Sequence, residues 1–350
     1  MDWQGRSWVR DFGDSLGEHF AVREDVGVWD VSNLHAWELR GPDAARAADR
    51  RFTNAVAEAQ AGQIRYGLLC DERGAIHNDA TVFRHDARGH RLWVFSSLRG
   101  DEEHLRRGCA GLDAEVGRLD ELAVVQVQGP RSWALLATLA PGLAPLAFLR
   151  FHPTPVGVAG VTCLLARIGF SGELGFELLC RSQDAEALWL RLIGAGARPY
   201  GFAAVHTLRV ESGLLLLGED LIAGRTTPYD VSLDGVVRPD KPELEGGAAL
   251  AALAADPPRR LVCLALEGGV VPVRGAPVLV EGARVGEVTS ACMSPTLRRV
   301  LALASVGSGH TGLDLVVRVA IDRGRSARGR VTTLPAYDPA KARLRADVSG

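Results

Sequence analysis

The chain contains 350 residues, of which 47% are hydrophobic and 23% are charged, and its formal net charge at pH 7 is −2. This composition predicts a globular protein with a large core and room for two or three domains, and its near-neutral charge offers no electrostatic attraction for nucleic acid or an anionic membrane. No apolar run approaches the roughly 20 residues that span a bilayer, and the N-terminus lacks the cationic-then-apolar order of a signal peptide, so we expect a cytoplasmic protein.

Several common catalytic devices are also excluded by residue type. Lys241 and Lys341 are the only lysines, which argues against a Walker-type phosphate loop or a Schiff-base lysine. The six cysteines show no CxxC pair or zinc spacing, and the nine histidines form no HExxH or similar cluster. We therefore expect reduced, mostly buried thiols and no metal site.

The first part of the chain contains one structural pattern twice. A strand over residues 36–40 is followed by Gly41-Pro42-Asp43 and a helix to residue 51, and a strand over residues 124–128 is followed by Gly129-Pro130 and a helix over 132–139. The repeated order of strand, Gly-Pro turn and helix indicates an internal duplication of one α/β unit. The other elements predicted here are a helix over 18–25, an extended segment over 26–32, a strand over 92–96 and a polar helix over 101–109.

Residues 66–84 form the stretch on which the functional hypothesis depends. An apolar run over 66–70, a polar turn over 71–74 and a second strand over 81–83 predict a hairpin, with Asn78 and Asp79 where the second strand begins. A carboxylate held by a sheet on both sides presents a fixed charge to a pocket, as a catalytic group or ligand anchor requires. The simpler alternative is that Asn78 and Asp79 only shape a turn.

The second half of the chain changes character near residue 255. Up to that point the pattern mixes helices and strands, whereas the remainder contains closely spaced apolar strands separated by glycine-rich turns, which is typical of a small β-barrel or sandwich. We therefore expect an α+β region of two subdomains over residues 1–255 and an all-β domain over 256–350. The predicted strands are 162–167, 175–180, 261–266, 277–281, 284–290, 300–306 and 313–321, and the predicted helices are 184–194, 202–211 and 248–254.

Motifs spread over nearly the whole chain carry a family resemblance. Residues 18–24 and 28–32 are similar to the family segment "EHxAVR…GLFDVSH", residues 167–177 to "RTGYTGEDGFE", residues 207–214 to "TLRLEAGL", and residues 286–297 to "GxVTSGxxSPTL". On these motifs the chain resembles the tetrahydrofolate-dependent aminomethyltransferase family, which includes the glycine-cleavage T-protein and related demethylases. The resemblance implies an α+β, T-protein-like ring of three domains with a small C-terminal β-barrel and tetrahydrofolate bound in the central hole.

The resemblance also implies roles for individual residues. Asp79 matches the acidic residue beside N5 and N10 of the pterin and is expected to act in both catalysis and folate binding, while Glu177 matches the glutamate that hydrogen-bonds the amino-pyrimidine edge. A pterin offers adjacent N–H donors that a carboxylate accepts bidentately, and a flat face that suits aromatic rings. The other expected folate contacts are Tyr66, Trp93, Phe95, Ser97 and Phe170.

One departure from the family pattern bears on the second substrate. Val205 and His206 stand where the family has the end of "ARD", so that an arginine and an aspartate near the reaction centre are lost. The residues expected to contact folate are mostly intact, whereas the face for the other substrate is altered, so we expect a different one-carbon donor. We therefore expect a demethylase that moves a methyl group from a small O-, S- or N-methylated substrate to N5 of tetrahydrofolate. His206 is the candidate substrate-side acid or base, with a surface or helix-capping role left open.

Two other functions stay open at this stage. One is a glycine-cleavage-type aminomethyltransferase that receives its aminomethyl group from the lipoyl arm of a carrier protein. The other is a non-catalytic folate-binding iron–sulfur assembly factor, whose "KGCYxGQE" signature has no counterpart in this chain. The sequence leaves the methyl donor and the direction of transfer undetermined, and a homodimer is kept open as the assembly.

Overall fold

The computed structural model describes residues 2–3, 6–322 and 324–348. These residues form a mixed α+β fold with a five-stranded sheet, a six-stranded sheet, a closed six-stranded barrel and a two-stranded hairpin. The helices are α1 (Ser15–Glu24), α2 (Ala44–Asp49), α3 (Asp101–Cys109), α4 (Ser132–Leu139), α5 (Ala185–Gly194), α6 (Phe202–Glu211) and α7 (Gly247–Ala255). The outer ends of the two predicted regions, residues 1, 349 and 350, lie outside the described part of the chain.

The described residues form nineteen strands. The first thirteen strands are β1 (Asp2–Trp3), β2 (Arg6–Ser7), β3 (Gly27–Asp30), β4 (His35–Arg40), β5 (Ile64–Cys70), β6 (Ile76–Arg84), β7 (Arg91–Ser96), β8 (Glu115–Arg118), β9 (Leu122–Gln128), β10 (Val156–Val158), β11 (Val161–Ala166), β12 (Gly175–Arg181) and β13 (Arg198–Pro199). The last six are β14 (Arg259–Leu266), β15 (Pro277–Val280), β16 (Ala283–Ser294), β17 (Arg299–Gly307), β18 (Val316–Asp322) and β19 (Arg325–Thr332).

The predicted hairpin over residues 66–84 is formed by β5 and β6 at the edge of the five-stranded sheet, whose order is β5-β6-β7-β4-β8. The carboxylate of Asp71 closes the turn by accepting hydrogen bonds from the backbone N–H groups of Arg73 and Ala75, at 3.0 and 2.9 Å. Pairing resumes as early as Ile76, opposite Cys70. Asn78 and Asp79 therefore lie inside β6 rather than at its beginning, because the turn is tighter than the sequence pattern indicates.

The two Gly-Pro turns have the same local geometry in different sheets. Gly41 follows β4 and precedes α2, and Gly129 follows β9 and precedes α4. Both have positive φ angles, 119° and 128°, and a Cβ atom on either would lie 2.3 Å from the carbonyl oxygen of Asp113 or 2.4 Å from that of Asp25. Only glycine is compatible with such a close backbone approach, so the turns predicted to be duplicated meet one shared steric requirement.

The six-stranded sheet, in the order β10-β11-β12-β9-β3-β13, separates two cores. On one face Phe176 and Leu178 pack in a cluster with Leu188 of α5 and Leu136 of α4. On the other face, side chains such as Leu179 join a central cluster that also contains Phe83 and Phe95 of the five-stranded sheet and Leu208 of α6. The two sheets therefore share one apolar interior, as expected for duplicated units packed face to face.

The all-β segment closes into a barrel in the order β14-β17-β16-β15-β18-β19, with β14 pairing both β17 and β19. Five of these strands were predicted. The sixth, β19, escapes a pattern search because its sequence, Arg-Ser-Ala-Arg-Gly-Arg-Val-Thr, has one strongly apolar residue. Its backbone nevertheless completes the ladder, which satisfies edge groups that would otherwise remain unpaired.

Buried ion pairs fix the junction between α6 and its surroundings. Arg209 pairs with Asp220, and Glu211 pairs with Arg23 at 2.7 Å, all four being nearly inaccessible. Arg209 and Glu211 are therefore structural ion-pair residues.

Beyond the barrel the chain returns to the first region. Tyr337 donates to Oε1 of Glu173 at 2.7 Å, and Arg343 donates to Oε2 of the same carboxylate at 2.7 Å. Helix α7 ends at Ala255 and the first barrel strand begins at Arg259. The division of the chain into two regions between residues 255 and 256 stays a proposal, because the segment after β19 packs against the first region.

Three further properties concern the described residues as a set. None of their helices is both long and apolar enough to cross a membrane. They contain no group of three or more histidine, cysteine or acidic side chains placed to hold a metal ion. All six cysteines are free thiols, buried except for the half-buried Cys109.

Candidate active site

The face of the five-stranded sheet that carries Asp79 is turned toward the six-stranded sheet. Side chains alternate along a strand, so Asp79, Thr81 and Phe83 share one face of β6. Thr81 is opposite both Tyr66 and Phe95 in the register, which brings these two side chains to the same face. Because Phe83 and Phe95 belong to the central cluster between the sheets, this face looks into the interior.

Asp79 has a neutral hydrogen-bond donor rather than a cation as its side-chain partner. The hydroxyl of Tyr66 donates to Oδ2 of Asp79 at 3.2 Å. Burial raises the pKa of Asp79 to about 6, the hydrogen bond from Tyr66 lowers it in part, and the charge of Asp101 raises it further. Both side chains retain some solvent access. A carboxyl group with a pKa near neutrality can hold or release a proton in a reaction.

A buried polar network fixes the backbone on which Asp79 is mounted. Oδ1 of Asn78 accepts hydrogen bonds from the N–H of Asp79 at 2.8 Å and from the hydroxyl of Ser97 at 3.2 Å. The amide of Asn78 donates in turn to Oδ2 of the fully buried Asp101 at 2.6 Å. His77 completes the network, with its Nε2 2.9 Å from Oδ1 of Asp101. The network restricts the position of Asp79 from behind the sheet.

Glu177 is the second predicted carboxylate, and it lies in β12 of the other sheet. Nε2 of Gln126, its register partner in β9, donates to Oε1 of Glu177 at 2.8 Å. Burial raises the pKa of Glu177 to about 7, and the hydrogen bond from Gln126 opposes this shift only in part. The carboxyl group is therefore a titrating group at physiological pH.

Asp79 and Glu177 face the same interior from opposite sheets. Glu177 and Leu179 lie on one face of β12, since they are two positions apart, and Leu179 packs in the central cluster. Asp79 shares a face of β6 with Phe83, which packs in the same cluster from the side of the five-stranded sheet. The solvent-facing alternative for Glu177 is thereby disfavoured. The arrangement provides two carboxyl groups that are densely surrounded, partly accessible and on sheet faces that meet the same apolar cluster.

The turn between β11 and β12 carries Phe170. Phe170 is half-buried and packs against the central cluster. The turn is held by Gln128, which donates to the carbonyl of Ile168 at 3.3 Å and accepts from the hydroxyl of Ser171 at 2.7 Å. A Cβ on Gly175 would lie 2.3 Å from the Gln128 amide. The glycine of this motif therefore leaves room for the side chain that anchors the turn.

The remaining predicted folate contacts lie at different depths along β7. Phe95 is buried opposite Thr81, and Ser97 follows the end of the strand beside Asn78. Trp93 is opposite Phe83, four residues along the strand from Asp79, which corresponds to about 13 Å. Its indole N–H donates to Glu38 at 2.9 Å. The geometry groups Phe95 and Ser97 with Asp79 and puts Trp93 at the opposite end of the sheet face.

His206 lies apart from both carboxyl groups, between α6 and the barrel. Its Nε2 is 3.0 Å from the carbonyl oxygen of Ala291 in β16, and its Nδ1 is 3.3 Å from a guanidinium nitrogen of Arg209. Burial and the charge of Arg209 lower the pKa of His206. Both ring nitrogens therefore have protein partners, and the geometry favours a role in joining α6 to the barrel over acid–base chemistry.

Three residues that contribute to this arrangement were not identified from the sequence. Gln126 holds Glu177, and Asp101 supports Asn78. The third residue is the buried Tyr200, whose pKa is raised by burial and, to a smaller extent, by the charge of Glu177. Gln126 gave a usable signal, since it is a polar residue in the middle of the apolar strand over 124–128. Asp101 resembled an ordinary acidic residue in the first turn of a helix, and nothing in the sequence indicated Tyr200.

Comparisons with known proteins agree with this architecture. Residues 6–241 match the family model of the GCVT N-terminal domain, and residues 259–338 match that of the glycine cleavage T-protein C-terminal barrel domain. Proteins named aminomethyltransferase from Streptomyces avermitilis and Rubrobacter xylanophilus are each 36% identical to this chain, over 96% of its length and 93% and 90% of theirs.

A solved structure gives the same result at the level of the fold. The crystal structure of glycine cleavage system aminomethyltransferase T from Bartonella henselae has a TM-score of 0.88 and 26% identity, and the match covers 97% of this chain and 94% of that one. The predicted T-protein-like fold with its C-terminal barrel is thus confirmed. The chain belongs to the glycine-cleavage T-protein family of aminomethyltransferases.

Proposed function

We propose that this protein is a tetrahydrofolate-dependent aminomethyltransferase, which transfers the carbon of an aminomethyl group from a lipoyl sulfur to tetrahydrofolate and releases ammonia and the free thiol of the carrier. The observation that carries the proposal is the pair of inward-facing carboxyl groups, Asp79 and Glu177, in a chain whose relatives bear the name aminomethyltransferase. This ranks the glycine-cleavage type of donor ahead of the methylated substrates favoured by the sequence alone.

The residues present fit a pterin. Oε1 of Gln126 is buried and has no hydrogen-bond partner among the described residues, although its amide nitrogen is bound to Glu177. An unmatched buried acceptor costs about 1–3 kcal/mol, which an N–H donor on a ligand beside Glu177 would relieve. Tyr66 and Phe170 would supply aromatic surface, and Asp79 and Glu177 would accept from the pterin's N–H groups. Phe95 and Ser97 would complete the wall near Asp79.

The chemistry of the chain's own groups is mainly positioning and charge stabilisation. Tetrahydrofolate, when bound, supplies a nucleophilic nitrogen that accepts the one-carbon unit. Asp79 would hold that end of the pterin and stabilise positive charge that develops at nitrogen, or take up a proton, since its pKa of about 6 allows both states. Glu177 would fix the opposite edge of the ring system, and the central cluster would exclude water.

A second candidate function is the demethylase predicted from the sequence. It is favoured by Val205 and His206, which replace polar family residues on the substrate side. Val205 is buried in the central cluster, and the polar groups of His206 face the barrel. An apolar substrate side suits a methyl group better than an ammonium leaving group. The non-catalytic assembly factor has no such observation in its favour.

The two functions give different products, so one experiment separates them. The purified protein is incubated with tetrahydrofolate and either an aminomethylated lipoyl carrier protein or a panel of methyl ethers, sulfonium compounds and N-methyl amines. Ammonia together with methylene-tetrahydrofolate from the carrier supports aminomethyl transfer. Methyl-tetrahydrofolate from one of the methylated compounds supports the demethylase, and no turnover with either donor would refute both.

Substitutions then test the roles of Asp79 and His206. Asp79→Asn preserves size and removes the charge, so the transfer rate should fall by about a hundredfold or more, as for loss of one preorganised electrostatic group. His206→Ala should leave folate affinity unchanged. If it lowers the rate with one donor only, His206 acts on the substrate side, whereas an effect confined to thermal stability supports the joining role. The cytoplasmic location and the homodimer stay predictions, which fractionation and sedimentation would check.

A further inference from the structure

Apart from the candidate folate site, the structure has a cavity of about 360 Å³ at the edge of the six-stranded sheet. It opens where β13 stops, since β13 pairs only with Gly27 and Val28 of β3 and leaves the rest of that strand edge uncovered. The segment before α1 and the first turns of α5 form its other walls. Neither Asp79 nor Glu177 lines it, so it is distinct from the candidate folate site. Its volume is that of a site for a small molecule.

Aromatic side chains dominate the wall of this cavity. The described residues that line it include Trp8, Trp29 and Trp189, together with Tyr200 and Phe12. Ring centroids are 5.4 Å apart for Trp8 and Trp29, 6.0 Å for Trp29 and Tyr200, and 6.3 Å for Phe12 and Trp189. At these distances the two rings of each pair are in direct contact, so they form aromatic patches in the wall. A ring face that such a patch turns toward the cavity attracts a cation.

The charges around the cavity have the complementary sign. Asp30 and Glu186 line it, and among the residues that the structure describes no lysine or arginine does so. One oxygen of Asp30 accepts from the N–H of Ser32 at 2.9 Å. The nearby Arg198 is held by Asp14 at 2.7 Å. An anionic ligand would be repelled by these carboxylates, whereas a cation would be attracted.

We propose that this cavity binds the methylated ammonium group of a small organic cation. Weak hydration allows such a group to enter an aromatic enclosure at low desolvation cost, while the carboxylates at the rim compensate its charge. A primary ammonium ion is more strongly hydrated and gains less. The inference concerns binding alone and does not depend on the transfer reaction.

The cavity shares a wall with the candidate folate site. Trp29 is the register partner of Gln126, which holds Glu177. Tyr200 lines the cavity and lies within electrostatic reach of Glu177. An occupant of the cavity would therefore rest one strand away from a group that we assign to folate.

Calorimetric titration of the full chain without folate tests this inference, with choline as the probe. The matched neutral compound is dimethylbutanol, in which a quaternary carbon replaces the nitrogen of choline, and ammonium chloride is the hydrophilic cation. Choline should bind saturably and about fivefold or more tightly than either comparison compound. Equal binding of the neutral compound would show an apolar pocket only, and absence of saturable choline binding would overturn the proposal outright.

Two substitutions assign the binding to this cavity. Trp189→Leu and Asp30→Asn, both at partly or fully exposed positions, should each weaken choline binding about fivefold or more. Trp133→Leu removes a half-buried tryptophan that is not in the lining, and Asp120→Asn removes an exposed carboxylate elsewhere. These two controls should bind choline as the wild type does. If neither cavity variant changes the affinity, choline binds at another place and the assignment is wrong.

Discussion

Substitution of Glu177 by glutamine tests the folate-side assignment most directly, because burial raises the pKa of this carboxyl to about 7. A pterin that binds through N–H donors requires the ionised carboxylate. Below neutrality the ligand must therefore displace a proton from Glu177, and its apparent affinity must depend on pH.

The size of that dependence follows from the two raised pKa values. If only the ionised carboxyl binds folate, the apparent dissociation constant is multiplied by a factor equal to one plus the ratio of protonated to ionised carboxyl. For a pKa of about 7, this factor is about 1 at pH 8 and about 11 at pH 6. Asp79, with a pKa of about 6, adds about twofold at pH 6, for a total loss of about 20-fold in the wild type. The Glu177→Gln variant should bind more weakly at pH 8 and retain only the twofold part.

Anaerobic calorimetric titration with tetrahydrofolate at both pH values provides the measurement. Repetition at the lower pH in buffers of different ionisation enthalpy should reveal release of about 1.4 protons by the wild type and about 0.5 by the variant. Glu103→Gln, which removes an exposed carboxylate on α3, is the matched control and should behave as the wild type does. A 20-fold dependence that survives in the Glu177 variant, or a wild type with none, would refute the reasoning.

Three further predictions concern stability and the network behind Asp79. Because the folded-state pKa values of Glu177 and Asp79 are raised, the free energy of unfolding should fall as pH rises from about 4 to about 7 and then level off. Urea titrations across this pH range should show a smaller fall for Glu177→Gln. Arg209→Met leaves Asp220 buried without its cation and should cost about 3–5 kcal/mol, whereas Arg284→Met, at an exposed pair with Glu287, should cost less than about 1 kcal/mol in the same assay. Asp101→Asn removes a like charge and should lower the pKa of Asp79, which would move the acid limb of the pH–rate profile to lower pH; an unmoved limb would show that Asp101 does not act on Asp79.

Local patterns in the sequence were sufficient where structure is local. The hairpin that carries Asp79, helix α6 and five of the six barrel strands have apolar periodicity and turn residues of their own. Strand β19 does not, since its three arginines suit a solvent-facing side of the barrel and its position depends on β14 and β18. A strand whose formation is driven by its neighbours leaves little trace in its own composition.

The candidate site likewise contains residues whose placement the sequence predicts and others whose placement depends on tertiary packing. Strand alternation alone puts Asp79 and Glu177 on defined faces, so their inward direction follows once the sheets are known. The partners of His206 could not be inferred, since Ala291 is 85 positions away and meets α6 only through the packing of the barrel. The same holds for Tyr200, which reaches the vicinity of Glu177 through the short parallel pairing of β13 with β3.

Several buried carboxylates of the described residues have an arginine as partner. Glu211 and Glu173 are paired with Arg23, and Asp220 with Arg209, so that each charge is neutralised within the protein. Asp79 and Glu177 have only Tyr66 and Gln126, which are neutral donors, although arginine is abundant in this chain. A buried carboxyl without a cation is costly, and its raised pKa records that cost. Asp79 and Glu177 combine a raised pKa with the lack of a cation beside them, so their charge is available to a ligand, which is the physical reason to look for the chemistry between the two sheets.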